Sequence, residues 1–110
     1  MNQENLEKEL ITAAKLRASM HGMRFGPGAD SDIHRFASNG ATRLFVAAQP
    51  APEPSKQMIE EAKAAFEMLI DEMVSATSEI TNYRAAHPGI IGEQTLRLAL
   101  DRLCPLFPIC

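Results

Sequence analysis

The amino-acid sequence predicts an all-α protein, a small bundle of about four helices with one long central helix and an apolar C-terminal tail. The composition favours this class, because aromatic residues make up only 5% of the chain, Trp is absent, and Ala, Leu and Met are plentiful. The periodicity favours it as well, because apolar residues between positions 59 and 83 recur in an unbroken a/d heptad pattern. Segments rich in Gly and Pro separate the stretches of helical periodicity.

A chain of 110 residues is expected to form one helical domain, residues 1–110, with a modest core that oligomerisation could supplement. Residues 49–55 form a Pro-rich connector, since alternating prolines exclude a helix and favour an extended conformation. Each half of the chain, roughly 50 residues long, is too small to be a stable domain by itself. We therefore interpret the connector as a link between the helical halves of a single domain.

The first predicted helix begins at Asn2 or Asn5, either of which can cap it, and ends near His21, with Gly22 after the last turn. Arg17 interrupts its apolar face, where the aliphatic part of the side chain can lie along neighbours while the charge reaches water. The apolar face of this amphipathic helix consists of Leu6, Leu10, Ala13, Ala14, Leu16 and Met20.

A loop is predicted over residues 23–29, and a second helix from Asp30 or Ser31 to about Ala48. Small residues fill the middle of the inward face of this helix, which favours the close approach of another helix over a hinge or a ligand contact at Gly40. In an alternative interpretation, the helix ends at Asn39 and Gly40. The inward face comprises Ile33, Phe36, Ala37, Gly40, Ala41, Leu44, Ala47 and Ala48.

The long helix is predicted over residues 56 to about 86, with Ser55 as its N-cap. It would be about 45 Å long at 1.5 Å per residue, and it needs packing partners along that length. Further apolar residues widen the face beyond the heptad positions, which favours a multi-helix bundle over a two-stranded coiled coil. The heptad positions are Ile59, Ala62, Phe66, Leu69, Met73, Ala76, Ile80 and Tyr83, and the flanking apolar residues are Met58, Met68, Ile70 and Val74.

The C-terminal part begins where residues 87–89, His-Pro-Gly, are expected to end the long helix. An apolar turn at residues 90–92 and a short helix from residue 93 to about 103 are predicted to follow. The tail, residues 104–110, carries no charge, so its apolar side chains either pack back onto the bundle or form a patch for a partner or a second subunit. These side chains are Leu106, Phe107 and Ile109.

The formal net charge of −3 and the pI near 5.6 give no broad attraction for nucleic acid or anionic lipid. The chain shows neither a signal peptide nor an apolar run long enough to span a membrane, so a cytoplasmic location without membrane contact is expected. Cys104 and Cys110 are then expected to be reduced thiols, and their spacing matches no zinc or thioredoxin motif. Whether they pair, bind metal or are simply buried stays open at the level of sequence.

One possible metal site involves Asp30, Asp32 and His34, whose two-residue spacing suits a loop that turns side chains toward one point. A helix cap at Asp30 and a favourable helix dipole interaction at Asp32 explain the same spacing without a metal, and we favour that explanation. The neighbourhoods of the serines, cysteines and paired carboxylates match no catalytic motif. We therefore expect no enzymatic activity, no cofactor and no metal.

A DNA-binding unit similar to a helix-turn-helix is a second alternative, formed by residues 80–102 with Arg97 and Arg102 exposed on its last helix. The long turn and the acidic chain disfavour nucleic acid as a partner. The first two helices could also present a basic cluster to an anionic ligand or an acidic protein. That cluster comprises Arg17, Arg24, Arg35 and Arg43.

The leading hypothesis is a non-enzymatic protein–protein interaction module, such as a small regulator, inhibitor, immunity-type or accessory factor. It would act through the long amphipathic helix and the apolar tail, and it would bind a protein partner, self-associate, or do both. The alternatives are the DNA-binding regulator and a helical protein that binds a small ligand or a metal. The predicted partner-binding residues are Ile59, Phe66, Leu69, Met73, Ile80, Tyr83, Leu106, Phe107 and Ile109.

Overall fold

The computed structural model describes residues 1–79, 90–92 and 96–97, and the secondary structure of this part is mostly helical. Helix α1 spans Gln3–Met20, α2 spans Pro27–Ala48 and α3 spans Lys56–Glu79. Two short strands, β1 at Arg24–Phe25 and β2 at Ile90–Ile91, pair in parallel. The prediction of the all-α class is confirmed. The rest of the predicted final helix and the tail lie outside the described residues, as does the predicted end of the long helix.

Helix α1 begins and ends where the sequence predicts. The side chain of Asn2 accepts a hydrogen bond of 2.7 Å from the backbone N–H of Asn5, which caps the helix. At the other end His21 is the C-cap, and Gly22 adopts a φ of +71°, a left-handed conformation that glycine reaches without steric cost. The predicted caps of this helix are therefore confirmed.

The buried face of α1 differs from the predicted one. Leu6, Leu10 and Ala14 are buried as expected, but Leu16 is 63% exposed and Met20 is 71% exposed. Ile11 and Ala18, which are not part of the predicted apolar face, are buried instead. The cause is that α1 packs against both α2 and α3, so its buried arc is turned toward the space between them. The predicted burial of Leu16 and Met20 is wrong.

Helix α2 begins three residues before the earlier of its predicted caps. Gly26 is the N-cap and Pro27 the first helical residue, where the missing N–H of proline costs nothing and its fixed φ suits the helix. The predicted caps at Asp30 or Ser31 are therefore wrong. The helix continues through Gly40, which is buried, so the alternative of a helix break there is also wrong.

The two strands replace a predicted loop and a predicted turn. Arg24 is in register with Ile90 and Phe25 with Ile91, and the backbone N–H of Gly26 donates to the carbonyl oxygen of Ile91 at 2.9 Å. A Cβ at position 26 would lie 3.3 Å from that oxygen, so glycine allows the close approach. This ladder attaches the chain after α3 to the turn between α1 and α2.

Helix α3 is capped by Ser55 as predicted, since its Oγ accepts a hydrogen bond of 3.2 Å from the backbone N–H of Met58. The rings of Phe66 on α3 and Phe36 on α2 lie 5.2 Å apart between centroids, at an angle of 37°. No described helix is both long and apolar enough to cross a membrane. The buried core comprises Leu6, Leu10, Ile11, Ala14, Ala18, Ala29, Ile33, Ala37, Ala41, Leu44, Ala62, Phe66, Leu69, Ile70, Met73, Ile91 and Leu96.

Replacement of Phe66 by Ala should destabilise the chain by about 3–5 kcal/mol, because a fully buried aromatic side chain leaves a cavity in the core. Urea unfolding followed by circular dichroism measures this change. Met68→Ala on the same helix is the matched control, since Met68 is 52% exposed, and it should cost less than about 1 kcal/mol. Equal losses in the two variants would contradict the assignment of Phe66 to the core.

Candidate protein interaction surface

The residues predicted to bind a partner fall into two groups. Phe66, Leu69 and Met73 are fully buried in the core of their own chain, and Ile59 is partly buried against it. In this conformation the first three present no surface to another molecule, and their role in partner binding stays a prediction. The remaining five lie outside the described residues, namely Ile80, Tyr83, Leu106, Phe107 and Ile109.

An open groove of about 470 Å³ runs between α1 and α3, and the two exposed apolar side chains of α1, Leu16 and Met20, line it. We refer to Glu9, Ala13, Leu16 and Met20 as the α1 stripe, because they succeed one another along one side of the helix. Together the residues that line the groove are Lys8, Glu9, Thr12, Ala13, Leu16, Arg17, Met20, Lys63 and Glu67.

Side chains of both charge signs line this groove. Lys63 Nζ lies 3.5 Å from Glu9 Oε2, which connects α3 to α1 at one end of the groove. Lys8 pairs with Glu4 at 3.7 Å on the outer side of α1. Arg17 pairs with Asp71, which lies outside the lining. The lining itself comprises three basic and two acidic side chains, so the groove carries both signs of charge, although the whole chain is acidic.

A cluster of three polar side chains holds the C-terminal end of α1 against α3. Arg17 donates two hydrogen bonds of 2.8 Å to the two oxygens of Asp71. Nε2 of His21 lies 2.8 Å from Oδ1 of the same carboxylate. The hydrogen bond from Arg17 is the main reason that the pKa of Asp71 lies below its usual value, with desolvation acting in the opposite direction. The same bond raises the pKa of Arg17.

This arrangement presents apolar side chains on a helix whose orientation is fixed. The two ion pairs from α1 to α3, together with the buried face of α1, keep Leu16 and Met20 directed away from the core. Leu16 and Met20 were expected in the core, so sequence reasoning missed this surface. The sequence does contain a signal for this surface, because Ile11 and Ala18 extend the apolar arc of α1 to the side opposite Leu16 and Met20.

The arginines proposed as a basic cluster are in part neutralised. Arg17 pairs with Asp71, and Arg35 forms a short ion pair with Asp32. Asp32 is 7% exposed, and its Oδ2 accepts no hydrogen bond from a described residue but lies 3.5 Å from Nε of Arg97. Arg97 is exposed as the DNA-binding alternative requires, yet it faces a carboxylate. Arg102, the second residue of that alternative, lies outside the described residues.

The residues considered for a metal site point to different partners. Asp30 pairs with Lys15 at 3.0 Å and lies 3.7 Å from His34, whereas Asp32 faces the two arginines Arg35 and Arg97. Within the described ranges, no three His, Cys, Asp or Glu side chains are grouped so that they could hold a metal ion. The alternative metal site at Asp30, Asp32 and His34, which the sequence analysis disfavours, is not formed, because Asp32 pairs with arginines and not with the other two side chains.

The chain was compared with known protein families, curated proteins and solved structures, and no match was found in any of the three.

We predict that Asp71→Asn lowers stability near neutral pH and that this loss shrinks in acid. The folded-state pKa of Asp71 lies below the unfolded value of about 3.9, so the ionised carboxylate stabilises the fold above that pH. The contribution disappears as the pH falls through the lower folded-state pKa. Urea unfolding of the wild type and the variant at about pH 6 and about pH 2.5 measures the difference.

The control for this prediction is Glu60→Gln, which removes an exposed carboxylate from the same helix. It should change stability little at either pH, because surface charges contribute little. A loss in Asp71→Asn that is the same at both pH values would show that the ion pair with Arg17 does not stabilise the fold.

Proposed function

We propose that this chain is a non-enzymatic protein–protein interaction module that associates with a second copy of itself through the α1 stripe. The observation that carries the proposal is the exposure of Leu16 and Met20, at 63% and 71%, one turn apart on a helix whose other side is buried. Two large apolar side chains on a rigid helix favour association, because their contact with another protein surface removes apolar area from water.

Charge is the reason for choosing a second copy as the partner. The groove that the α1 stripe lines contains both basic and acidic side chains, so it favours a partner that carries both signs over a strongly charged protein or nucleic acid. A surface that carries both signs can complement itself, since a two-fold axis brings the same patch of each copy together. This surface takes the place of the long helix in the hypothesis drawn from the sequence, because the heptad residues Phe66, Leu69 and Met73 are buried within their own chain.

The contact is small, so the association should be weak, with a dissociation constant on the order of 100 μM. Sedimentation equilibrium of the purified chain, from about 10 μM to 1 mM, measures this constant. Leu16→Gln combined with Met20→Gln should weaken the dimer at least about tenfold, because Gln keeps the helix propensity but loses the apolar contact.

The matched control is Val46→Gln combined with Met68→Gln, which removes two apolar side chains of comparable exposure, 60% and 52%, from helices α2 and α3. This control should dimerise like the wild type. A wild-type chain that is monomeric up to about 1 mM would overturn the proposal. So would equal weakening of the dimer by the two double variants, because association would then not depend on the α1 stripe.

A further inference from the structure

Met20 differs from the other methionines of the chain in two respects. All six methionines lie within the described residues, and Met20 is the most exposed of them, at 71% against 52% for Met68 and 42% for Met1. It is also the one methionine among them that lines the groove between α1 and α3. Its thioether is therefore open to small reagents in water and lies on the surface through which two copies are proposed to associate.

The remaining methionines are shielded or lie away from this groove. Met73 is fully buried, and Met23 and Met58 are partly buried against the core. An oxidant has to reach the sulfur atom, so these three side chains should react slowly. Met68 is exposed on α3 but is not part of the groove lining, which makes it a reference for the reactivity of an exposed methionine.

We infer that Met20 is a redox modification site that controls the proposed self-association, with a hydroperoxide as the oxidant. The inference rests on that proposed function and adds its regulation. The sulfur lone pair attacks one oxygen of hydrogen peroxide, so an S–O bond forms and the O–O bond breaks. A proton moves to the leaving oxygen, which departs as water. The sulfur loses two electrons and becomes a sulfoxide, and the peroxide gains them.

The sulfoxide opposes association because it is polar. Its oxygen is hydrated in the free chain, and removing it from water in an apolar contact costs free energy. Oxidation leaves Leu16 as the single large apolar side chain of the α1 stripe, and a two-fold dimer contains this change twice. The dissociation constant should therefore rise at least about tenfold. By linkage, association in turn shields the sulfur of Met20 from the oxidant.

This shielding can be measured on the wild-type chain without any variant. Hydrogen peroxide is added in excess at about 10 μM and about 1 mM chain, and the initial rates of oxidation of Met20 and Met68 are followed by tandem mass spectrometry of peptides. With a dissociation constant of about 100 μM, roughly 15% of the chains are dimeric at the lower concentration and roughly 80% at the higher. Met20 should therefore oxidise about fourfold more slowly at 1 mM, whereas the rate at Met68 should not change.

The effect of the sulfoxide on association is measured by sedimentation equilibrium before and after peroxide treatment. Dithiothreitol is added after the peroxide, because it returns the thiols of Cys104 and Cys110 to the reduced form and leaves the sulfoxide in place. The dissociation constant of the wild type should rise at least about tenfold on treatment. Met68→Leu is the matched control and should show the same rise. Circular dichroism verifies that the treated chains stay folded.

Met20→Leu tests whether Met20 is the responsible residue, because leucine is apolar and has no sulfur to oxidise. The ratio of its dissociation constants after and before peroxide is compared with the wild-type ratio, whatever the starting value of the variant. This ratio should stay within about twofold of one. If Met20→Leu associates too weakly to give a ratio, the concentration dependence of Met20 oxidation in the wild type decides the question.

The two proposals fail in different ways. A wild-type chain that is monomeric up to about 1 mM before any peroxide is added overturns the self-association and, with it, the redox control. A wild-type dimer whose Met20 oxidises at the same rate at both concentrations overturns the redox control alone. Equal weakening of the wild type and Met20→Leu by peroxide has the same consequence, and self-association through the α1 stripe then remains.

Discussion

Helix α1 packs against both α2 and α3, and the rest of the described fold depends on this central position. Its buried residues, among them Leu10 and Ala14, supply the surface that the other two helices share, so neither could cover its own apolar face without α1. The same position determines which side chains of α1 stay exposed to solvent. Because the buried arc is turned toward the space between two helices, Leu16 and Met20 lie on the far side of α1 and remain exposed.

Hydrogen bonds and ion pairs fix the orientation of the packed helices. Arg17 binds Asp71 through both oxygens of the carboxylate, and such paired hydrogen bonds fix direction as well as distance. Asp32 is paired with Arg35 and lies close to Arg97, a residue of the segment that also places Ile91 in the core. The chain after α3 is therefore held to the helices by apolar burial, a two-residue ladder and charge.

The sequence predicted those parts of the fold that depend on local chemistry. The caps at Asn2 and Ser55, the small-residue face around Gly40 and the start of α3 could be read from side chains and spacing. Contacts between distant segments could not. The pairing of Arg24 with Ile90 depends on residues far apart in the chain, and the exposure of Leu16 depends on which side of α1 two other helices occupy. A single helical wheel holds no information about neighbours, so the candidate surface appeared only in three dimensions.

Because the heptad residues around Phe66 are buried, a protein partner has to bind another surface of the chain. A long apolar helix face usually packs against another helix, and in this chain α1 packs against α3 while Phe36 of α2 lies against Phe66. Phe66 and Leu69 are therefore already buried within their own chain. A partner that required these side chains would first have to displace the core, at a cost of the same order as the stability of the domain. Leu16 and Met20 require no such opening, since they are exposed on a helix that the core already holds in place. A surface that is ordered before binding loses less conformational entropy on contact, so even two apolar side chains can support a weak and specific association.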